Sequence, residues 1–154
     1  MANYDIRPLQ LRILKNLLAV DKVCKEHNLR YYIMAGTMLG AVRHKGFIPW
    51  DDDIDVALPR KDYEIFCRKA PQILPEWCFL QNYHSEPQYY LLGSKLRDSR
   101  TTYIEMMADR LKINHGVFID IFPLDGQWRT EREHQMFRKK RAIFEAARRV
   151  RLNY

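Results

Sequence analysis

An α/β fold of the α+β kind is what the 154-residue chain predicts, and three observations carry that expectation. The first is Pro8 to Asn28, where apolar residues recur at helical spacing and run straight into the dense Leu29-Arg30-Tyr31-Tyr32-Ile33-Met34. The second is the β run Ile54 to Leu58, which meets Pro59 and then a helical pattern from Arg60 to Ala70. The third is a set of β-rich segments, Trp77 to Tyr83, Tyr89 to Leu96 and Val117 to Phe122, interspersed with polar, proline-bearing turns.

Each element has a local reason. In the first helix Leu11, Leu14, Leu17, Leu18 and Val23 form the apolar set, while Arg12, Lys15, Asp21, Lys22 and Lys25 fall mostly on other faces. Asn28 suits a terminating position, and the aromatic and β-branched side chains after it fit a pleated surface. Gly36 is expected to end that strand, and Thr37 to cap a short helix from Met38 to His44, broken afterwards by Gly46 and Pro49. Tyr63, Phe66 and Cys67 are the inward residues expected of the helix after Pro59. The loop His84-Ser85-Glu86-Pro87 suits a hairpin between the third and fourth strands, and Thr101 to Lys112 is ambiguous. Pro123 with Asp125-Gly126 is expected to turn the chain after the last strand. Glu131 to Arg149 is helical and basic, with Met136, Phe137, Ile143, Phe144 and Val150 amid Arg132, Arg138, Lys139, Lys140, Arg141, Arg148, Arg149 and Arg151. The length suits one domain, residues 1–154, and because no terminating Gly or Pro follows this helix the chain reads as a fragment of a longer protein.

Bulk composition narrows the class. Hydrophobic residues make up 47% and charged residues 29%, which excludes disordered and fibrous chains. No run is long enough to span a bilayer, and the N-terminus lacks a basic-then-apolar leader, so a cytoplasmic location is expected and any membrane contact is peripheral. Cys24, Cys67 and Cys78 have neither disulfide nor metal spacing and read as reduced thiols. The net charge of +7 suits an anionic partner without choosing among nucleotide, glycan, nucleic acid and membrane.

The chemistry concentrates after a glycine turn. Asp51, Asp52, Asp53 and Asp55 would repel one another strongly unless a cation, hydrogen-bond donors or bulk water offset their charge. Asp53 and Asp55 alternate with Ile54 and Val56, so on a strand both carboxylates share one face, where they can chelate a hard cation that a nucleotide's phosphates complete. Asp120, flanked by Ile119 and Ile121, is a third acid able to bind metal or accept a nucleophile's proton. Gly36 and Thr37 supply backbone donors for phosphate oxygens, and Lys95 and Arg97 share a strand face as phosphate ligands. Each feature has a plainer reading: a turn for Gly36-Thr37, a solvated loop for the acidic run, a salt-bridged structural acid for Asp120, and a solvent face for Lys95 and Arg97.

Taken together, Ala35-Gly36-Thr37-Met38-Leu39-Gly40-Ala41-Val42-Arg43-His44-Lys45-Gly46-Phe47-Ile48-Pro49-Trp50-Asp51-Asp52-Asp53-Ile54-Asp55-Val56 and Gly116-Val117-Phe118-Ile119-Asp120-Ile121-Phe122-Pro123-Leu124-Asp125 resemble the LicD family of phosphotransferases. The resemblance covers roughly residues 9 to 150 and implies the nucleotidyltransferase fold of DNA polymerase beta-like enzymes, a mixed central sheet flanked by helices. It implies that Asp53, Asp55 and Asp120 are catalytic and bind Mg²⁺, with Mn²⁺ able to serve, and that Gly36 and Thr37 form the substrate-binding turn before them; Lys95 and Arg97 are substrate-binding candidates from their strand spacing alone. It further implies transfer of phosphocholine or ribitol phosphate from a CDP-alcohol to a sugar of a cell-surface glycan such as lipopolysaccharide or teichoic acid, at the inner face of the membrane. The stretch between Thr37 and Asp53 is longer than the commonest spacing of that fold, and Thr stands where Ser is usual, which leaves Asp51 and Asp52 open to a share in metal binding. Two other readings stand beside it: nucleotidyl transfer from an NTP to a small molecule, and a non-catalytic module binding anionic glycan or nucleic acid. No nucleic acid is expected on the leading reading.

Overall fold

Alternation of small apolar and polar residues along short strands produces a single sheet with one dry face and one polar face. The computed structural model describes residues 5–126 and 129–152. They divide into two units, one ending at Leu124 and one beginning at Asp125, each described by itself. In the first unit the order is α1 (Arg7–Glu26), β1 (Tyr32–Ile33), α2 (Ala35–His44), β2 (Asp55–Pro59), α3 (Arg60–Lys69), β3 (Cys78–Gln81), β4 (Ser94–Asp98) and β5 (Val117–Leu124). Across the sheet the strands run β1-β2-β5-β4-β3, with β2 parallel to β5 and every other neighbour antiparallel. This is the expected mixed sheet flanked by helices.

Val56, Leu58, Leu80, Leu96, Ile119 and Ile121 line the dry face, where α1 and α3 pack over β2 and β5. Burying each of these side chains contributes roughly 1.5–3 kcal/mol. From α3, Tyr63 and Phe66 enter this core as expected, with Cys67 partly buried beside them.

The first helix is where the sequence places it, but its inward face is turned. Ile13, Asn16, Ala19, Val20, Val23 and Cys24 are buried, whereas Leu11 and Leu18, expected inside, are 46% and 59% exposed. The reason is Asn16, a polar residue at the centre of the buried stripe. Its Nδ2 donates to the carbonyls of Leu96 (3.1 Å) and Val117 (3.2 Å), so the amide nitrogen is paired inside and fixes the helix phase on the sheet, while Oδ1 is buried without a hydrogen-bond partner among the described residues. Asn28, in the left-handed region at φ 53, ends the helix region as expected.

Other boundaries moved for identifiable reasons. The strand expected over 29–34 is only Tyr32–Ile33, and the chain reverses at Ala35 (φ 48), not at Gly36. α2 therefore begins before Thr37, which sits inside the first turn and does not cap it. The fourth strand runs Ser94–Asp98 rather than 89–96, since buried ion pairs let Lys95 and Arg97 occupy strand positions. β5 continues through Pro123, which pairs with Leu58, so the turn comes after Leu124. The ambiguous 101–112 stretch is irregular around a single 3-10 turn, Met106–Ala108.

In the second unit α4 spans Glu131–Leu152. A capping box opens it: the Thr130 N–H donates to Glu133 Oε2 (3.1 Å) and the Glu133 N–H to Thr130 Oγ1 (3.2 Å). Of its expected apolar set, Met136, Phe137 and Ile143 are exposed. The side chains of Phe144, Arg148, Arg149, Val150 and Arg151 lie outside the described residues, as do Met1 to Tyr4. The three cysteines are free thiols. Among the described residues no helix is long and apolar enough to cross a membrane.

Candidate active site

Strand register builds the site. Asp55 on β2 is the Cα partner of Asp120 on β5, and Asp120 is the partner of Lys95 on β4. Three adjacent strands thus set acid, acid and base side by side on the polar face. Behind Asp55 and Asp53, Val56 and Ile54 are fully buried, so the Asp-Ile-Asp-Val alternation does separate a polar edge from the core. The solvent-face reading of Lys95 and Arg97 does not hold, since both are buried, whereas the reading of Asp120 as a salt-bridged acid does, through Lys95.

Asp55 is held by its backbone on both sides. Its N–H donates to Thr37 Oγ1 (2.9 Å), and its carbonyl accepts the N–H of Met34 (3.0 Å). Thr37 thereby ties the first turn of α2 to the start of β2, a job its hydroxyl can do while keeping its own proton for another acceptor. One residue earlier, Ile54 accepts the N–H of Asp120 (2.9 Å), which locks β5 alongside.

The preceding loop brings its acids together. One carboxylate oxygen from each of Asp51, Asp52 and Asp53 lies within 4.8 Å of the others, the tight acidic group among the described residues. Asp51 also lies against α2: a Cβ on Gly36 would meet its Oδ2 at 3.1 Å, so Gly36 leaves room for a carboxylate at a helix N-terminus. The loop is anchored by a residue that spacing alone does not reveal, Gln10 of α1. Its Nε2 donates to the carbonyls of Ile48 (3.2 Å) and Asp51 (3.0 Å). Asp52 is fixed from the other side by the Tyr103 hydroxyl, which donates to its Oδ2 at 3.0 Å.

Electrostatics follow from this crowding. Partial burial, then the charges of Asp55, Asp51, Asp52 and Asp120, push Asp53 up to about 6. Asp55 is raised by burial and by Asp120 and Asp51, with Lys95 pulling the other way. Asp120 is raised by burial against the opposing pull of Lys95. An all-oxygen set with surplus negative charge fits a hard divalent cation, and the residues able to hold one are Asp51, Asp52 and Asp53, with Asp55 and Asp120 adjoining. Of the expected set Asp53, Asp55 and Asp120, only Asp53 falls in this tight group, with Asp51 and Asp52; Asp55 and Asp120 face each other across β2 and β5, and both Asp120 oxygens contact Lys95.

Lys95 and Arg97 share a face, as expected, but both are almost wholly buried. Lys95 Nζ contacts Asp120 Oδ1 (3.0 Å) and Oδ2 (3.1 Å), contacts Glu105 Oε1 (3.2 Å), and lies 3.4 Å over the Phe118 ring. Arg97 is committed elsewhere: to Gln81 Oε1 (2.6 Å), the Gly116 carbonyl (2.8 Å) and Glu105 Oε2 (2.7 Å). Glu105, Tyr103 and Phe118 were missed because the first two lie in the ambiguous stretch and the third reads as an ordinary apolar strand residue.

A family model described as LicD/FKTN/FKRP, nucleotidyltransferase domain, matches residues 28–150. The lipopolysaccharide cholinephosphotransferase LicD of Haemophilus influenzae is 34% identical over 132 residues, which cover 82% of this chain and 46% of that protein. An uncharacterised protein of Rickettsia prowazekii is 48% identical over 52 residues, 34% of this chain and 18% of its own length. Another from Rickettsia typhi is 47% identical over 47 residues, 30% of this chain and 15% of its own. The chain spans about half the length of the Haemophilus relative and less than a fifth of each rickettsial one.

Proposed function

The chain belongs to the LicD family of nucleotidyltransferase domains, and from that membership we propose that it transfers a phospho-alcohol group, phosphocholine first and ribitol phosphate second, from a CDP-activated donor to a sugar hydroxyl of a cell-surface glycan. The observation that carries the reading is the juxtaposition of the Asp51–Asp53 group with the Asp55, Asp120 and Lys95 register row. The similarity to a protein named a lipopolysaccharide cholinephosphotransferase supports the choice of phosphocholine and glycan.

Asp51, Asp52 and Asp53, with Asp55 beside them, would hold Mg²⁺ or Mn²⁺, which when bound would offset the charge of the donor's diphosphate. The leading N–H groups of α2, around Gly36 and Thr37 and close to Asp51, would donate to phosphate oxygens of the donor. Asp120 takes the proton of the acceptor hydroxyl, whose oxygen attacks phosphorus in line; the new O–P bond forms as the bond to CMP breaks. Lys95 holds the Asp120 carboxylate in place by contacting both of its oxygens. Arg97, with its guanidinium fully engaged, supports this row from behind and is not assigned to the donor. The reaction is assigned to the cytoplasm or the inner face of the membrane.

The test is a donor screen with CDP-choline, CDP-ribitol and CTP in the presence of Mg²⁺ and a glycan acceptor. Release of CMP from CDP-choline is expected. Pyrophosphate from CTP would replace the proposal with nucleotidyl transfer, and no product from any donor would leave a binding module.

A further inference from the structure

Glu105 is an acid turned inward from an apolar surface segment. Its neighbours Ile104, Met106 and Met107 are 57%, 92% and 82% exposed, while the Glu105 side chain is 24% exposed. Partition into water would arrange these residues the other way round. Two buried cations reverse the preference: Lys95 and Arg97 are 3% and 1% exposed and need counter-charges. Glu105 supplies one oxygen to each, Oε1 to Lys95 at 3.2 Å and Oε2 to Arg97 at 2.7 Å.

The resulting row alternates in sign, from Arg97 to Glu105 to Lys95 to Asp120. Arg97 does not depend on Glu105 for its placement, because Gln81 and the Gly116 carbonyl hold its other nitrogens. Lys95 does depend on it. Without Glu105 its ammonium would keep Asp120 and the Phe118 face but lose the partner that fixes it from the far side. A Lys with a single strong partner closes on that partner and adds an uncompensated positive charge beside the acidic group.

We propose that Glu105 is a positioning residue, which acts through Lys95 to hold the Asp120 carboxylate and to keep positive charge from competing with a divalent cation at the acidic loop. The inference rests on the proposed metal-dependent transfer, and its test separates the two. Partners that orient metal ligands directly typically change affinity or activity by about 10–100-fold when altered, and Glu105, acting through Lys95 and Asp120, is expected at the lower end of that range.

Mn²⁺ alone is titrated against the full chain and its Glu105→Gln variant by calorimetry, with thermal midpoints and with kcat and KM for CDP-choline measured on the same samples. Glu105→Gln is expected to weaken Mn²⁺ binding and lower kcat by about tenfold or more at a nearly unchanged KM. Glu105→Asp, which keeps the charge on a shorter arm, should lose less than the Gln variant but more than twofold. If the Gln variant does not fold, the Asp variant alone decides by the same criterion. Mn²⁺ affinity and kcat within twofold of the parent, or equal losses in both variants, would overturn the inference, as would a parent chain that binds no Mn²⁺. A parent that binds Mn²⁺ in a Glu105-dependent way yet releases no CMP would keep the inference and remove the activity.

Discussion

Asp53 concentrates the residue-scale consequences, since it belongs both to the acidic loop group and to the alternation leading into β2. Its carboxyl is lifted from 3.8 to about 6, first by burial and then by its acidic neighbours. Between those two values the folded chain holds a proton that the unfolded chain has released, so this group's contribution to stability falls as pH rises through the window and stays low above it. Asp53→Asn should therefore raise the thermal midpoint by about 2–4 °C at pH 8 without divalent cation, and leave it unchanged near pH 4. Differential scanning calorimetry at the two pH values checks the sign. Asp98 carries the opposite dependence: the Arg100 guanidinium lowers its carboxyl, so the stability it contributes is lost as acid protonates it. Thr37 offers a cleaner separation of hydroxyl from methyl. Thr37→Val leaves the Asp55 N–H without its acceptor and should cost about 1–3 kcal/mol in urea unfolding, while Thr37→Ser should stay close to the parent.

At the scale of elements, what the sequence shows depends on whether a pattern reports burial or only polarity. Period-two alternation at Ile54–Val56 and Ile119–Ile121 locates two strands and the acids between them, because the apolar residues there are fully buried and the acids only partly so. The phase of α1 escapes the same reasoning, since Asn16 is polar by composition and buried by its two bonds to sheet carbonyls. The start of β4 escapes it too: Lys95 and Arg97 look like a solvent face until Glu105 and Asp120 neutralise them across strands. That pairing depends on contacts between distant residues and leaves no local mark. α2 and the loop behind it give a direct test of element packing. A Cβ on Gly40 would meet the Gly46 carbonyl oxygen at 2.6 Å and the Ile48 nitrogen at 2.9 Å. Gly40→Ala should force α2 and the acidic loop apart, costing about 1–3 kcal/mol and lowering kcat together with stability. A fully active, equally stable variant would show that the loop does not need α2 as its wall.

For the whole molecule, the net charge is +7, whereas the residues of the site itself are mainly acidic. A net positive charge favours encounter with an anionic donor, while the acidic loop resists it until cationic charge is present. The rate constant for donor capture, kcat/KM, should accordingly fall several-fold as salt is raised from about 0.05 M to about 0.5 M, with kcat much less affected. Steady-state kinetics across that range read the two apart. The central proposal is that these acids, in a chain of the LicD family, carry out transfer of a phospho-alcohol. The most direct measurement is CMP release from CDP-choline with and without Mg²⁺, by the parent chain and by Asp53→Asn and Asp55→Asn variants of confirmed fold. Mg²⁺-dependent release by the parent and its loss in both variants is the expected result. Release that is indifferent to Mg²⁺, or that survives in the folded variants, would contradict the account.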